Sequence, residues 1–326
     1  MGTTHHDAGS ASAAVRPGAG SAHGKAILLG EHAVVYGAPA IAIPVDELTA
    51  RVDIAPSSGG LRIESALYTG PLADAPARLA PVSAAIAEAC SRLGAPDPQG
   101  PDALVRIDSK IPHERGLGSS AAVAAALIRA IYDSASADLD ADTLFELIQT
   151  SERAAHGSPS GIDARTVTSP VPIRFTRGES APVRIGAPLH LAFADSGSSG
   201  STTRAVGVVR ALRERDPVRT EALLARLAQV AEGSVADLET GDRSALGARM
   251  GEAHDILRRV GVSSPELDAL VAAAHAAGSP GAKLTGGGLG GCVIAIAGSP
   301  AHAVDLSAAL RRAGAHSTWT VEVPAA

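Results

Sequence analysis

The chain is poor in aromatic residues, in lysine and in cysteine. Three Phe, three Tyr and one Trp among 326 residues leave few rings on which single-stranded nucleic acid could stack. A net charge of −6 removes the basic surface favoured by nucleic-acid or anionic-membrane partners. Neither kind of partner is expected. Two cysteines, Cys90 and Cys292, are too few for a disulfide framework or a zinc site, and a reducing, cytoplasmic setting fits them. No apolar run approaches the roughly 20 residues of a membrane span. Residues 1–22 lack the apolar centre of a secretory signal. That small, polar stretch reads as a disordered tail, and its His5–His6 pair as solvated rather than metal-binding. No internal repeat of fixed period is present.

What the chain has in quantity is alanine, at 67 positions, and arginine, at 25. The core must be built from Ala, Val, Leu and Ile. Against that arginine, only three lysines stand out: Lys25, Lys110 and Lys283. Lysine is a compact point charge, unlike the planar guanidinium, and all three lie in or beside glycine-rich segments.

The length allows two domains. Apolar spacing predicts strands at Lys25–Leu29, Ala40–Val45, Arg51–Ala55, Leu61–Ser65 and Ala103–Asp108, and helices over Pro81–Leu93, Ser119–Tyr132 (capped by serine) and Thr143–His156. The second half opens with a strand at Leu189–Ala194. Helices follow near Thr203–Arg215, Pro217–Leu238, Arg243–Val260 and Ser264–Ala277, two of them started by Asp216-Pro217 and Ser264-Pro265. The end reads strand, glycine turn, strand, helix, strand (Ala282–Val323). That unit suggests an α+β layer of helices against an antiparallel or mixed sheet. The division into domains of residues 23–185 and 186–326 is expected in the Pro- and Gly-containing stretch Thr176–Pro188.

Three segments are built to bring bare backbone close to a ligand: Gly24–His32, Pro112–Ala121 and Lys283–Gly291. In the second, glycines precede Ser119-Ser120 at a helix start. There, unpaired N–H groups and the positive end of the helix dipole make a phosphate site. One such loop alone is more often a tight turn. Three, two of them with embedded charges, favour a ligand. The P-loop pattern is absent. The dinucleotide pattern matches by letter at Gly116–Ala121 and Gly286–Gly291. The second match runs into a strand, and six residues separate the first from its preceding strand, so a dehydrogenase is a weak rival.

Glu152 and Asp163 lie in the stretch ERAAHGSPSGID, where a helix ends in a Gly/Ser/Pro loop that delivers Asp163. Phosphoryl transfer needs a divalent ion, a group that orients the nucleophile, and cations on the moving phosphoryl. Glu152 with a serine of Ser119-Ser120 suits the ion. Asp163 suits the acceptor hydroxyl, and Lys25 the developing charge. Read singly, Asp163 would be a turn residue and Glu152 a solvated helix position.

The stretches GKAILLGEHAVVYG (24–37), Pro112–Ala122, ERAAHGSPSGID (152–163) and AKLTGGGLGGC (282–292) together resemble the family of galactokinase, homoserine kinase, mevalonate kinase and phosphomevalonate kinase, the GHMP kinases. The resemblance spans residues 23–325. It implies a ribosomal-protein-S5-like N-terminal domain, a ferredoxin-like C-terminal domain and an active site between them. ATP and Mg2+ are implied, with Asp163 as catalytic base, Lys25 as the active-site cation, and Ser120 and Glu152 as magnesium ligands. Ser109, Gly116, Leu117, Gly118, Ser119, Ser120 and Gly286, Gly287, Gly288 are implied on the nucleotide side. Lys25, Glu31, His32, Asp163 and Thr202 are implied around the acceptor. Its nearest members phosphorylate mevalonate at the carbon-5 hydroxyl. The alternatives are phosphomevalonate, a sugar or homoserine as acceptor, or a non-catalytic binding protein of the same fold. The residues Pro112-His113-Glu114-Arg115 are larger than in many relatives. Dimers are common in the family.

Overall fold

The computed structural model describes residues 15–94 and 102–326; the His5–His6 pair and the start of the expected tail lie outside them. Part of the stretch expected to be tail is strand: β1 runs over Gly18–Leu29. Residues 18–22 pair with Ala50–Ile54 of β2 (Ala40–Pro56). The two strands read as separate, Ala40–Val45 and Arg51–Ala55, are this one long strand. Residues 40–45 are buried without a break, and from Leu48 onward burial alternates, as in a strand with one face leaving the core.

Both edges of β2 are used. β1 lies antiparallel along one edge. On the other, β5 (Ala103–Ser109) pairs with residues 50–56 and β6 (Ile173–Thr176) with residues 40–42. β3 (Arg62–Ser65), β4 (Thr69–Pro71) and β7 (Glu179–Pro182) complete a seven-stranded sheet, ordered β4-β3-β5-β2-β6-β7 with β1 on β2. Only the β3–β5 pairing is parallel among the described pairs. The β6–β7 hairpin occupies the start of the stretch expected to divide the domains. Its strands are four residues each, too short to show a period.

Helix α2 (Ser119–Ala135) packs on this sheet with α1 (Ala80–Arg92) and α3 (Ala141–His156) beside it. Alanine explains how near it comes. Ala121, Ala122, Ala124, Ala125, Ala126 and Ala130 are all buried. A Cβ on Gly20 of β1 would lie 2.1 Å from the Ala126 carbonyl oxygen. A short helix, α4 (Ile162–Thr166), follows α3.

The chain then enters a second sheet of four antiparallel strands, ordered β11-β8-β10-β9: β8 (Leu189–Asp195), β9 (Ala282–Thr285), β10 (Cys292–Ala297) and β11 (Ser317–Val323). The helices α5 (Thr202–Arg215), α6 (Pro217–Thr240), α7 (Arg243–Arg259), α8 (Pro265–Ala276) and α9 (Pro300–Arg312) belong to this half. Their starts follow the expected caps: Asp216 accepts from Arg219 N and Ser264 from Leu267 N. Both cysteines are buried and unpaired. No described helix is long and apolar enough to cross a membrane.

Gly20→Ala forces two backbones apart at a packed contact. It is expected to lower unfolding stability by about 2 kcal/mol, the usual cost of overpacking. Denaturant unfolding measures this, and an unchanged midpoint would refute the close β1–α2 packing.

Candidate active site

Lys25 follows an irregularity in the pairing of β1 with β2, where residues 46–48 of β2 are extra. Between His23 and Gly24 the register on β2 jumps from Thr49 to Val45, a bulge of the kind that re-aims side chains. The Lys25 backbone N–H donates to the Leu117 carbonyl at 3.0 Å, which fastens β1 to the loop before α2. The side chain is almost fully buried. Its Nζ lies 2.9 Å from Asp163 Oδ1 and donates to the Gly116 carbonyl at 3.1 Å. Asp163 keeps 32% of its side chain exposed, against 3% for Lys25. The carboxylate therefore faces both a buried cation and open space. Asp163 sits in the first turn of α4, and not on an irregular loop as expected.

The expected serine cap of α2 is replaced by Gly118, in the left-handed region at φ 74° with no side-chain cap. The free first-turn amides expected of a phosphate site are left in place. A Cβ on Gly118 would stand 2.7 Å from Lys25 Cγ, so this position admits the lysine only because it is glycine. Ser119 and Ser120 are the first helical residues. The Ser119 hydroxyl donates to the Ile111 carbonyl at 3.4 Å, while Ser109 accepts from the Ile111 N–H at 3.2 Å. Both serines brace the base of the loop. The Leu117 side chain is fully buried, and its carbonyl is held by the Lys25 N–H.

The third glycine loop meets the second. A Cβ on Gly286 would fall 2.7 Å from Gly116 Cα. Gly287 packs against Thr202, where a Cβ would lie 3.0 Å from Thr202 Cα. The Gly287 carbonyl accepts from His32 Nε2 at 2.8 Å. Because a carbonyl only accepts, His32 is the tautomer with hydrogen on Nε2, and Nδ1 keeps its lone pair. Burial holds the His32 pKa below its usual value. His32 adopts φ 61°, a costly conformation for a residue with a side chain.

Glu31 is less open than a pocket-lining residue would be. Its Oε1 accepts from Lys283 Nζ, and both side chains are buried. Lys283 also donates to the Leu284 carbonyl at 2.6 Å. Burial pushes the Glu31 carboxyl up and the Lys283 amine down, and the mutual charge opposes both shifts. Among the described residues, Glu31 Oε2 has no partner. Lysine scarcity was the one sequence signal for Lys283. The partnership itself spans 252 positions and is invisible to local patterns. Thr285 adds a bond across the same seam, from its hydroxyl to the Ile27 carbonyl at 2.9 Å.

Glu152 lies on the last turns of α3 and is buried. Burial first, and the Asp163 charge second, push its carboxyl up to about 7, against the Ser120 hydroxyl and Lys25, which lower it. Its Oε1 has no hydrogen-bond partner among the described residues. A buried carboxylate oxygen without a donor, next to a serine hydroxyl, suits a hard cation with oxygen ligands. No group of three or more His, Cys, Asp or Glu side chains is placed to hold a metal among the described residues, so phosphate or water oxygens would have to complete the coordination. Two depressions of about 460 and 360 Å3, one by Arg129 and Arg165 and the other by His254 and Asp268, include none of these residues. Converging buried charge, rather than cavity size, marks the site.

The Glu152 shift has a sign that can be measured. With a native pKa near 7 and an unfolded value near 4.5, the native state binds more protons between them. Stability contributed by this group is complete below about pH 4.5 and lost as pH rises through 7. Thermal unfolding of the ligand-free protein from pH 5 to 8 should show Tm falling relative to Glu152→Gln. Parallel Tm profiles for the two proteins would contradict the assignment.

Comparison with known proteins identifies the family. The description "GHMP kinases N terminal domain" matches residues 81–169, and "GHMP kinases C terminal" matches residues 234–316. The mevalonate kinase of Thermococcus gammatolerans is 34% identical over 295 residues, covering 85% of this chain and 88% of that protein. That of Aeropyrum pernix is 32% identical over 284 residues, covering 85% and 87%. Among solved structures, L. major mevalonate kinase in complex with R-mevalonate superimposes with a TM-score of 0.82 at 27% identity, covering 95% of this chain and 96% of that one. The chain belongs to the GHMP kinase family.

Proposed function

We propose that this chain is a kinase that transfers the γ-phosphoryl group of ATP to the carbon-5 hydroxyl of (R)-mevalonate, giving 5-phosphomevalonate. The observation that carries the reading is the Lys25–Asp163 pair, 2.9 Å apart, beside the meeting point of two glycine loops. The acceptor rests on relatives named mevalonate kinase that are 31–34% identical over most of the chain.

Phosphoryl transfer asks little covalent chemistry of a protein; it asks for position and for charge. The free amides of α2 and the Gly286–Gly288 turn would bind the phosphates of ATP. Asp163, partly exposed, would accept or orient the proton of the acceptor hydroxyl. Lys25, 2.9 Å from that carboxylate, would balance the charge on the transferring group. His32 and Thr202 would border the acceptor, with Glu31 behind His32 as part of the buried wall. Glu152 and Ser120 would hold a magnesium ion, which supplies charge neutralisation to the phosphates when bound.

ADP release with Mg-ATP and mevalonate, phosphomevalonate, galactose or homoserine separately tests the acceptor. Turnover with mevalonate alone is expected, and turnover with another acceptor would overturn the pocket assignment. Asp163→Asn should retain ATP binding and lose at least about 100-fold in kcat, the scale of a positioned base. Near-normal turnover would remove Asp163 from the mechanism.

A further inference from the structure

Arg115 precedes Gly116 in the loop assigned above to the phosphates of ATP, yet its guanidinium is engaged by the other domain. Its Nε lies 2.8 Å from Asp195 Oδ1 and 2.9 Å from Oδ2, and its Nη2 donates to the Gly197 carbonyl at 3.3 Å. Asp195 ends β8 with 5% of its side chain exposed. The carboxylate also accepts from the Gly197 N–H at 2.8 Å, which turns the chain into the segment 196–201 that delivers Thr202. Backbone contacts follow the same line. The Glu114 carbonyl accepts from Gly200 N–H at 3.0 Å, and a Cβ on Gly291 would sit 3.0 Å from the Arg115 carbonyl oxygen. One arginine thus ties the nucleotide loop to the segment leading to the acceptor side. Among the described residues, the exposed His316 ring also lies near Asp195, 4.0 Å away.

We propose that Arg115 is a positioning residue that couples the two substrates, so that binding of ATP tightens binding of mevalonate and the reverse. The inference rests on the function proposed above. Each ligand orders one loop, and the ion pair passes that order to the other loop, so the second ligand meets a segment already restrained. Thermodynamic linkage makes the effect equal in both directions. An arginine is suited to the task because one planar group can hold a carboxylate and a carbonyl at once. Lysine could meet the charge but not the shape.

The test is calorimetric titration of (R)-mevalonate, with and without a saturating non-hydrolysable ATP analogue and Mg2+. It is run on the wild type, Arg115→Met, Arg115→Lys, Asp195→Asn and the double variant Arg115→Met/Asp195→Asn. The wild type is expected to bind mevalonate at least about 5-fold more tightly in the presence of the analogue, the lower end of ordinary coupling between sites. The ratio should fall to about one in Arg115→Met, in Asp195→Asn and in the double variant, and to an intermediate value in Arg115→Lys. Arg115→Met should also lower Tm, because it strands a buried carboxylate. The double variant should regain Tm without regaining coupling, a separation that a merely structural role does not produce. A wild-type ratio near one, a preserved ratio in Arg115→Met, or coupling that returns together with Tm overturns the proposal. Absence of mevalonate binding to the wild type overturns the acceptor assignment and this inference together; binding without coupling overturns this inference alone.

Discussion

The contact on which the site depends is the buried ammonium of Lys25, held between the Asp163 carboxylate and the Gly116 carbonyl. A cation taken out of water needs a partner and hydrogen-bond acceptors. Here it has one carboxylate and one carbonyl, supplied by two segments that are distant in sequence. Each supporting feature serves that arrangement. The bulge of β2 lies opposite the step from His23 to Gly24, just before the lysine, Gly118 leaves room for its stem, and α4 presents Asp163 from the other side. Close packing of α2 on β1 fixes the start of the helix, and with it the free amides, relative to the lysine.

A second set of contacts joins the two sheets across the seam. Lys283 meets Glu31, Thr285 meets the Ile27 carbonyl, His32 meets the Gly287 carbonyl, and Arg115 meets Asp195. The first three are polar bonds between buried groups and the fourth is partly exposed, and breaking one partner of a buried ion pair is costly. They also fix direction, which apolar packing does not. The third glycine loop is thereby set against the second with bare backbone on both sides. Asp163 and Glu152 share the remaining tension. Glu152 is the more buried of the two carboxylates, and burial first, then the neighbouring Asp163 charge, raises its pKa.

Much of this architecture can be read from local sequence. The C-terminal half follows its caps closely, because Asp216-Pro217 and Ser264-Pro265 act within four residues of themselves. The glycine loops and the lysines beside them point to the chemistry for the same reason: their signal is short-range. The extension of β1 to Gly18 is hidden, since its residues are small and polar and their burial comes from α2 rather than from their own hydrophobicity. The β6–β7 hairpin and α4 are too short for a period. The pairs Lys283–Glu31 and Arg115–Asp195 join segments far apart in the chain, and no local pattern marks either partner for the other. Serine as the cap of α2 was the reasonable expectation from composition, but the backbone there needs a left-handed residue close to Lys25, and glycine serves both demands.

If Lys25 and Asp163 act as one unit in phosphoryl transfer, their losses do not multiply. The direct measurement is kcat for Lys25→Met, Asp163→Asn and the double variant, under saturating Mg-ATP and mevalonate. Groups that work together make the double variant about as slow as the worse single one, within about threefold. Losses that multiply in the double variant would mean that the two residues act independently, and would contradict the account of the ion pair as the centre of the site.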